Sequence, residues 1–497
     1  MIGHFNLLDG SIIGVYLIVV MIAGLAVRKY VGKVEHYLVA GREMNLYLGI
    51  ASMAATEFGI VTCMYAAQNG YDKGFAGATP GILYALAMLL VGVTGFCIKP
   101  LREAGVITIP ELFQERFGSR IRWLAGVVIV LGGLLNMGVF LRTGGEFLVG
   151  VSGMDVAYLQ WMMTALLALV AVYTILGGML SVLVTDYLQF IVMSIGLIAV
   201  TGLTLATVGW TTLVQTVDDK LGAGGFNPFV NPDMGWEYVV FNGILNLAAC
   251  LTWQTMIARV LASKDAKTGQ RMYSGTSFFF VARFLIPGIW GIAALALLAP
   301  EVVGDNTLTA MPKFLALYVP AGLMGLLVAA MLAADMSTDS SYMLTWASVI
   351  YNDILAPFRR RKAWTEKFGL MVNRTIVALI GVFLLFYGLW YELKGDLWSY
   401  ISVTGAIYLS SMSVLLVACC YWKRANSWGA GAAILLGFIF PVAYLAMEQI
   451  PATEELAKSI GPYYSGIASF VAAALGMVIG SYMKLLFVKE EPIEGVA

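Results

Sequence analysis

Two carboxylates and four hydroxyls stand within ten residues in Ala333-Ala334-Asp335-Met336-Ser337-Thr338-Asp339-Ser340-Ser341-Tyr342, inside a run that is otherwise apolar from Ala321 to Ile350. An acid at the centre of a bilayer-spanning helix costs roughly 2.5–3.5 kcal/mol on insertion scales, so such a cluster needs a reason. On a helix, Ala334, Ser337, Thr338, Ser341 and Thr345 share one face, and Asp335, Asp339 and Tyr342 share the adjoining one. Hydroxyl and carboxylate oxygens gathered on one side of a buried helix are hard ligands suited to a hard cation such as sodium. Serine and threonine also bond back to carbonyls one turn earlier, which accounts for part of the hydroxyls but not for the acids. The pattern predicts a cation or substrate path along this helix.

A second constellation is Ser52-Met53-Ala54-Ala55-Thr56-Glu57-Phe58-Gly59, with Thr62 close behind. A glycine beside a buried acid predicts a helix broken at mid-membrane, where freed carbonyls can coordinate an ion. The plainer alternative is that Glu57 pairs with a membrane-buried Arg283 or Arg142 for structure alone. Asp186 is a third buried acid, a turn inside its apolar run, and a helix cap is the plainer role for it.

The elements that carry these residues are membrane spans. The 497 residues are 60% hydrophobic and 12% charged, with a mean hydropathy of +0.83, whereas a soluble chain carries about 25% charged residues. Thirty basic and thirty acidic residues balance, which gives no footing for a nucleic-acid partner. The five cysteines lack metal spacing, and the two histidines, His4 and His36, join no catalytic constellation, so an enzyme has no support and no cofactor is expected. Apolar runs long enough to span occur thirteen times, at about 8–27, 46–69, 76–98, 123–143, 157–176, 181–207, 237–258, 274–300, 320–349, 374–391, 397–422, 428–447 and 463–486. The start shows no basic region and cleavage site of a signal peptide, so the first run is expected to stay as a helix. With the N-terminus outside, the inner connections hold most of the Lys and Arg, including the Arg359–Lys362 cluster and Lys489. Few, among them Lys394, fall outside. This asymmetry predicts an outside N-terminus and an inside C-terminus. Leu101–Arg122 is expected to carry a short helix after Pro110, and Asp218–Trp236 and Glu301–Val319 to be loops.

These residues resemble the sodium/solute symporter family. The likeness rests on Gly41-Arg42, on Gly177-Gly178 with Thr185-Asp186 and Gln189, on Gln254 with Arg259 and Ala262-Ser263-Lys264-Asp265, and on Ala333-Ala334-Asp335-Met336-Ser337-Thr338. The last is nearest to the proline and pantothenate branches. The resemblance implies one all-α transporter domain over 1–497 with about thirteen transmembrane helices and a five-plus-five inverted-repeat core of the leucine-transporter type. Repeat 1 falls at 46–207 and repeat 2 at 236–425, each opening on a broken helix, with a first helix and loop at 1–45 and two extra helices at 426–497. It places a first sodium site on the carbonyls of Ala55, Phe58 and Ala334 and the hydroxyls of Ser337 and Thr338. Asp186, Ser340 and Ser341 match a second site found in some members. Glu57 stands where the proline branch has aspartate, and Arg283 where sugar symporters use lysine. Thr62 and Gly81 replace that branch's glutamine and glutamate, which disfavours a sugar.

The function implied is sodium-coupled symport of a small polar organic solute by alternating access, by a multi-pass protein of the cell membrane, bacterial cytoplasmic in the first instance. Its partners are the solute, sodium and the bilayer, and a monomer is compatible with this reading. Glu57, Thr62, Trp253, Arg283, Asp335 and Asp339 are the candidates for substrate or coupling. Asp335 and Asp339 could contact a cationic substrate, pair with Arg283 or exchange protons. Rival readings are a proton-coupled carrier and a transporter-like sensor. The sensor is disfavoured because the sequence ends shortly after the last run; a channel is disfavoured by the lack of pore-loop repeats.

Overall fold

The computed structural model describes residues 6–361, 364–391 and 396–487. His4, Lys362, Lys394 and Lys489 lie outside the described residues, as do the side chains of Arg360 and Arg361. Among the described residues the chain is helical, and its one strand-like pairing is an isolated bridge between Met44 and Ser263. Apolar side chains dominate each long segment, and with water absent only a helix satisfies the backbone from within.

The first helix, α1 (Leu7–Val27), opens on a reciprocal cap in which Asn6 accepts from the Asp9 N–H and Asp9 accepts from the Asn6 N–H. The other Asp9 oxygen accepts from the backbone N–H groups of Gly322 and Gly325, both at 2.7 Å. One buried carboxylate thus ties α1 to the head of a helix more than three hundred residues on. Next come α2 (Leu46–Thr56) and α3 (Ile60–Lys73), separated by a break at Glu57–Gly59, then α4 (Thr79–Thr94), α5 (Ser119–Gly138) and α6 (Phe140–Ser152). The long α7 (Leu159–Val208) bends at Gly178, whose φ of 55° and ψ of −149° suit glycine alone. A Cβ there would meet the Tyr37 ring at 2.5 Å and its carbonyl oxygen at 2.6 Å.

A second broken pair follows, α8 (Gly235–Thr252) and α9 (Gln254–Ala262), which part at Trp253, where ψ is 107°. The remaining long helices are α10 (Ala266–Leu297), α11 (Leu323–Val349), α12 (Glu366–Trp390), α13 (Leu397–Tyr421), α14 (Ser427–Gln449) and α15 (Pro462–Phe487). A single π-helical turn, Ile350–Ile354, extends α11. The two broken pairs are laced at one end, where the Met44 N–H donates to the Ala262 carbonyl and the Lys264 N–H to the Met44 carbonyl, both at 3.1 Å. The core sits where α1, α2, α3, α5, α7 and α12 pack around α11, which is buried along nearly its whole length.

Eleven helical stretches of the described residues are long and apolar enough to cross a membrane. Thirteen runs were expected. The runs at 157–176 and 181–207 lie on one 53-residue stretch, bent at Gly178. The run at 46–69 is α2 and α3, and the Ile60–Thr94 stretch joins α3 to α4. The helix expected after Pro110 is present as Ile109–Phe117. The two connections expected as loops are partly helical, at Trp210–Leu221 and Ala310–Tyr318. Leu213 with Val217, and Met311 with Phe314 and Leu315, give those segments apolar stripes at helical spacing that pack inward.

Candidate functional site

Glu57 and Phe58 leave helical geometry, so the turn around them frees carbonyls that a continuous helix would bond. The Ala55 oxygen accepts from the Phe58 N–H only at a long 3.4 Å, and Phe58 itself is buried beside the break. Across from this turn stands α11. The Thr338 hydroxyl donates to the carbonyls of Thr56 at 2.9 Å and Ala334 at 3.0 Å. Gly59 permits the approach, since a Cβ there would lie 2.8 Å from Thr338 Oγ1. Neutral carbonyl and hydroxyl oxygens from the α2–α3 break and from α11 therefore converge, which is the donor set a sodium ion takes. Ala334 and Thr338 are brought to the break together. Ser337, the third α11 residue of this group, turns to Asp186, donating at 2.5 Å.

Asp186 has company that its spacing in the sequence did not reveal. Ser52 donates to it at 2.5 Å, and Arg259 of α9 pairs with it at 3.2 Å, both side chains being wholly buried. Arg259 also donates to Ser52 at 3.1 Å, to Thr56 at 2.6 Å, to the Thr255 carbonyl at 3.1 Å and to Ser341. A guanidinium presents five donors in a fixed fork, and here they lace α2, α7, α9 and α11 into one junction. In this arrangement the residues expected to form a second cation site, Asp186, Ser340 and Ser341, are engaged with other partners. Arg259 already compensates the carboxylate and occupies Ser341, while the Ser340 hydroxyl donates back to the Ser337 carbonyl at 3.2 Å. The warning in the sequence was Arg259 itself, since a buried acid and a buried base in a membrane core seek each other.

Beside this junction lies a cavity. Its wall includes Glu57, Thr62, Trp253 and Arg283, so these four expected residues share one space. Arg283 Nη1 faces Glu57 Oε2 at 3.6 Å, and Nη2 donates to Tyr65 at 2.7 Å and to Thr62 at 3.4 Å. Thr255 donates to Glu57 Oε1 at 2.7 Å. The pairing of Glu57 with Arg283 is thus present, and Arg142 instead pairs with Glu146 at 3.0 Å. The break at Trp253 aims its indole into the cavity, where it donates to the Tyr342 hydroxyl at 3.1 Å.

Thr338 and Tyr342, one turn apart, are the α11 residues that line the cavity, which corrects the reading of Asp335 and Asp339. Both acids are buried, yet neither lines the cavity or pairs with Arg283. Asp335 lies against Gly144 of α6, whose added Cβ would sit 3.1 Å from Oδ2, and one oxygen of each acid has no hydrogen bond. The reading also missed Tyr65, Asn136, Asn246, Trp398 and Ser402 in the cavity wall. They come from α3, α5, α8 and α13 and share no spacing in the chain. Among the described residues no group of three or more His, Cys, Asp or Glu could hold a metal ion.

The pattern of the sodium:solute symporter family matches residues 37–437. Sodium/glucose cotransporter 4 of Danio rerio is 26% identical over 489 residues, covering 90% of this chain and 72% of its own. Sodium/myo-inositol cotransporter 2 of Oryctolagus cuniculus is 28% identical over 486 residues, covering 87% and 69%. A substrate-bound, outward-open Na+-coupled sialic acid symporter superposes with a TM-score of 0.81 at 18% identity, covering 99% of this chain and all of that one. MHP1, a nucleobase-cation-symport-1 family transporter in a closed conformation, superposes with a TM-score of 0.57 at 14% identity, covering 92% and 96%. The two superpositions speak for the fold, while the family match spans most of the sequence: this multi-pass membrane chain belongs to the sodium:solute symporter family.

Proposed function

We propose that the chain is a sodium-coupled symporter of a small polar organic solute, with sodium bound between the α2–α3 break and α11 and the solute in the adjoining cavity. The observation that carries this reading is the convergence of the Thr56 and Ala334 carbonyls on the Thr338 hydroxyl, at the wall of a cavity that Thr338 also lines. The ion's ligands are the carbonyls of Ala55, Phe58 and Ala334 and the hydroxyls of Ser337 and Thr338, with Ser337 released from Asp186 to take part. Its shared wall with the cavity supplies the coupling. An ion that bridges the break and α11 fixes the surface on which the solute rests, so each ligand favours the arrangement that binds the other.

A sodium ion falling through about 100 mV releases roughly 2.3 kcal/mol before its concentration gradient is added. A second ion at Asp186, Ser340 and Ser341 requires Arg259 to withdraw from the carboxylate. A five-plus-five inverted repeat over 46–207 and 236–425, α2–α7 against α8–α13, belongs to the same proposal, and the fact that each half opens on a broken pair supports it. The two broken pairs, α2–α3 and α8–α9, stand at corresponding places in it. The thirteen-span count with outside N-terminus and inside C-terminus, and a bacterial cytoplasmic membrane, belong to the same proposal; the charge asymmetry of the connections supports the orientation.

Purified protein tests the sodium reading without a known solute. Sodium chloride, against potassium chloride at equal ionic strength, is expected to raise the melting temperature with a saturable dependence. Equal melting in the two salts would refute it.

A further inference from the structure

The charges that line the cavity point to a class of solute. We propose that it is a small zwitterion, an amino acid or an N-alkylated relative, with its carboxylate on Arg283 and its ammonium on Glu57; this rests on the symporter reading above.

Glu57 and Arg283 face one another at 3.6 Å, beyond hydrogen-bonding distance. In a dry site such a loose contact forgoes the charge-assisted bonds that two close partners would make. Arg283 Nε has no hydrogen-bond partner although the side chain is buried, so part of the fork is unused. A carboxylate seated on the guanidinium and an ammonium seated on the acid would convert one loose ion pair into two close ones. The sum of charges stays zero throughout, which matters because an unpaired charge in such a space is costly. A free carboxylate or a free amine would leave one of the two fixed charges uncompensated. A neutral polyol brings no charge with which to part the pair.

The rest of the lining is consistent with this. Asn136 Oδ1 and Ser402 Oγ are buried without partners and line the same cavity, so acceptors remain for ammonium protons. Trp253, Tyr342 and Trp398 supply ring faces that attract an alkylated ammonium.

The test uses the full chain in liposomes with an inward sodium gradient and six probes: L-alanine, L-proline, glycine betaine, L-lactate, choline and D-glucose. The zwitterions are expected to be taken up, and the other three at least tenfold less. Glu57→Gln is expected to lose zwitterion uptake by at least tenfold and to gain relative preference for lactate; Arg283→Gln is expected to lose both and gain relative preference for choline. Because a single substitution strands a buried charge, the double variant Glu57→Gln/Arg283→Gln is included. It keeps the site neutral and is expected to keep its sodium-induced rise in melting temperature while losing zwitterion uptake. Wild-type uptake of glucose, lactate or choline in preference to all three zwitterions would overturn the inference, as would undiminished zwitterion uptake by the double variant. Sodium stabilisation without uptake of any zwitterion would sink this inference alone. Absence of sodium stabilisation would sink the symporter reading beneath it.

Discussion

Replacing Thr338 by Val keeps the branched shape of the side chain and removes its oxygen, which isolates the hydroxyl's contribution. In the structure that hydroxyl donates to the Thr56 carbonyl at 2.9 Å and to the Ala334 carbonyl at 3.0 Å. Without an ion, the one hydroxyl proton is shared between these two carbonyls, and a neutral bond contributes about 0.5–1.5 kcal/mol net, so the variant is expected to lose about that much local stability. With sodium bound, the loss is that of one neutral oxygen from a charged centre, about 1.5–3 kcal/mol by comparison with hydrogen bonds to charged groups. At about 1.4 kcal/mol per decade, half-saturation by sodium should rise roughly 10- to 150-fold. Thr338→Ser restores the oxygen and should return most of the affinity, although the missing methyl loosens packing against Gly59. The assay is a sodium titration of melting temperature, repeated as a sodium titration of solute uptake. An unchanged half-saturation in Thr338→Val, with Thr338→Ser also unchanged, would remove Thr338 from the sodium site and with it the placement of the ion.

The Asp186–Arg259 pair predicts a charge-balance pattern. Arg259→Gln strands a buried carboxylate and should cost about 3–5 kcal/mol, read as lost expression or a sharply lower melting temperature; Asp186→Asn/Arg259→Gln should recover much of it, and no recovery would deny the pairing. If Arg259 stays on Asp186 through the cycle, sodium activation should show a Hill coefficient of one, whereas a value near two that falls to one in Asp186→Ala would establish the second ion. Gly178→Ala places a Cβ 2.5 Å from the Tyr37 ring at a φ of 55°, so a loss of at least about 1–3 kcal/mol is expected; an unchanged melting temperature would mean that α7 need not bend there. Asp396 caps α13 and meets Lys73 at 2.9 Å. Burial pushes its carboxyl up, but the Lys73 charge, the Lys73 hydrogen bond and the Ser399 amide outweigh this and hold it below the ordinary carboxylate range. A depressed carboxyl stabilises the fold above its unfolded-state value and ceases to as pH falls through its folded-state value. Melting temperature should therefore drop below about pH 4, less steeply in Lys73→Met, and parallel curves for the two proteins would exclude the ion pair as the cause.

What the sequence determined by itself was whatever depends on local order along the chain. Apolar runs have the length of a bilayer, so the spans could be placed from hydropathy. Glu57 beside Gly59 marked the α2–α3 break because an acid and a flexible residue inside an apolar run contradict a continuous helix. The hydroxyls of α11 lay on one face because helical periodicity is fixed at 3.6 residues. Tertiary structure decided which faces meet. Asp335, Thr338, Asp339 and Tyr342 are all compatible with an inward face by spacing, and only the packing of α2, α3 and α6 against α11 turned Thr338 and Tyr342 to the cavity and Asp335 toward Gly144. Arg259 reaches Asp186 across 73 residues of sequence and Arg283 reaches Glu57 across 226. No spacing rule announces such pairs, because charges in a dry core choose partners by distance in space.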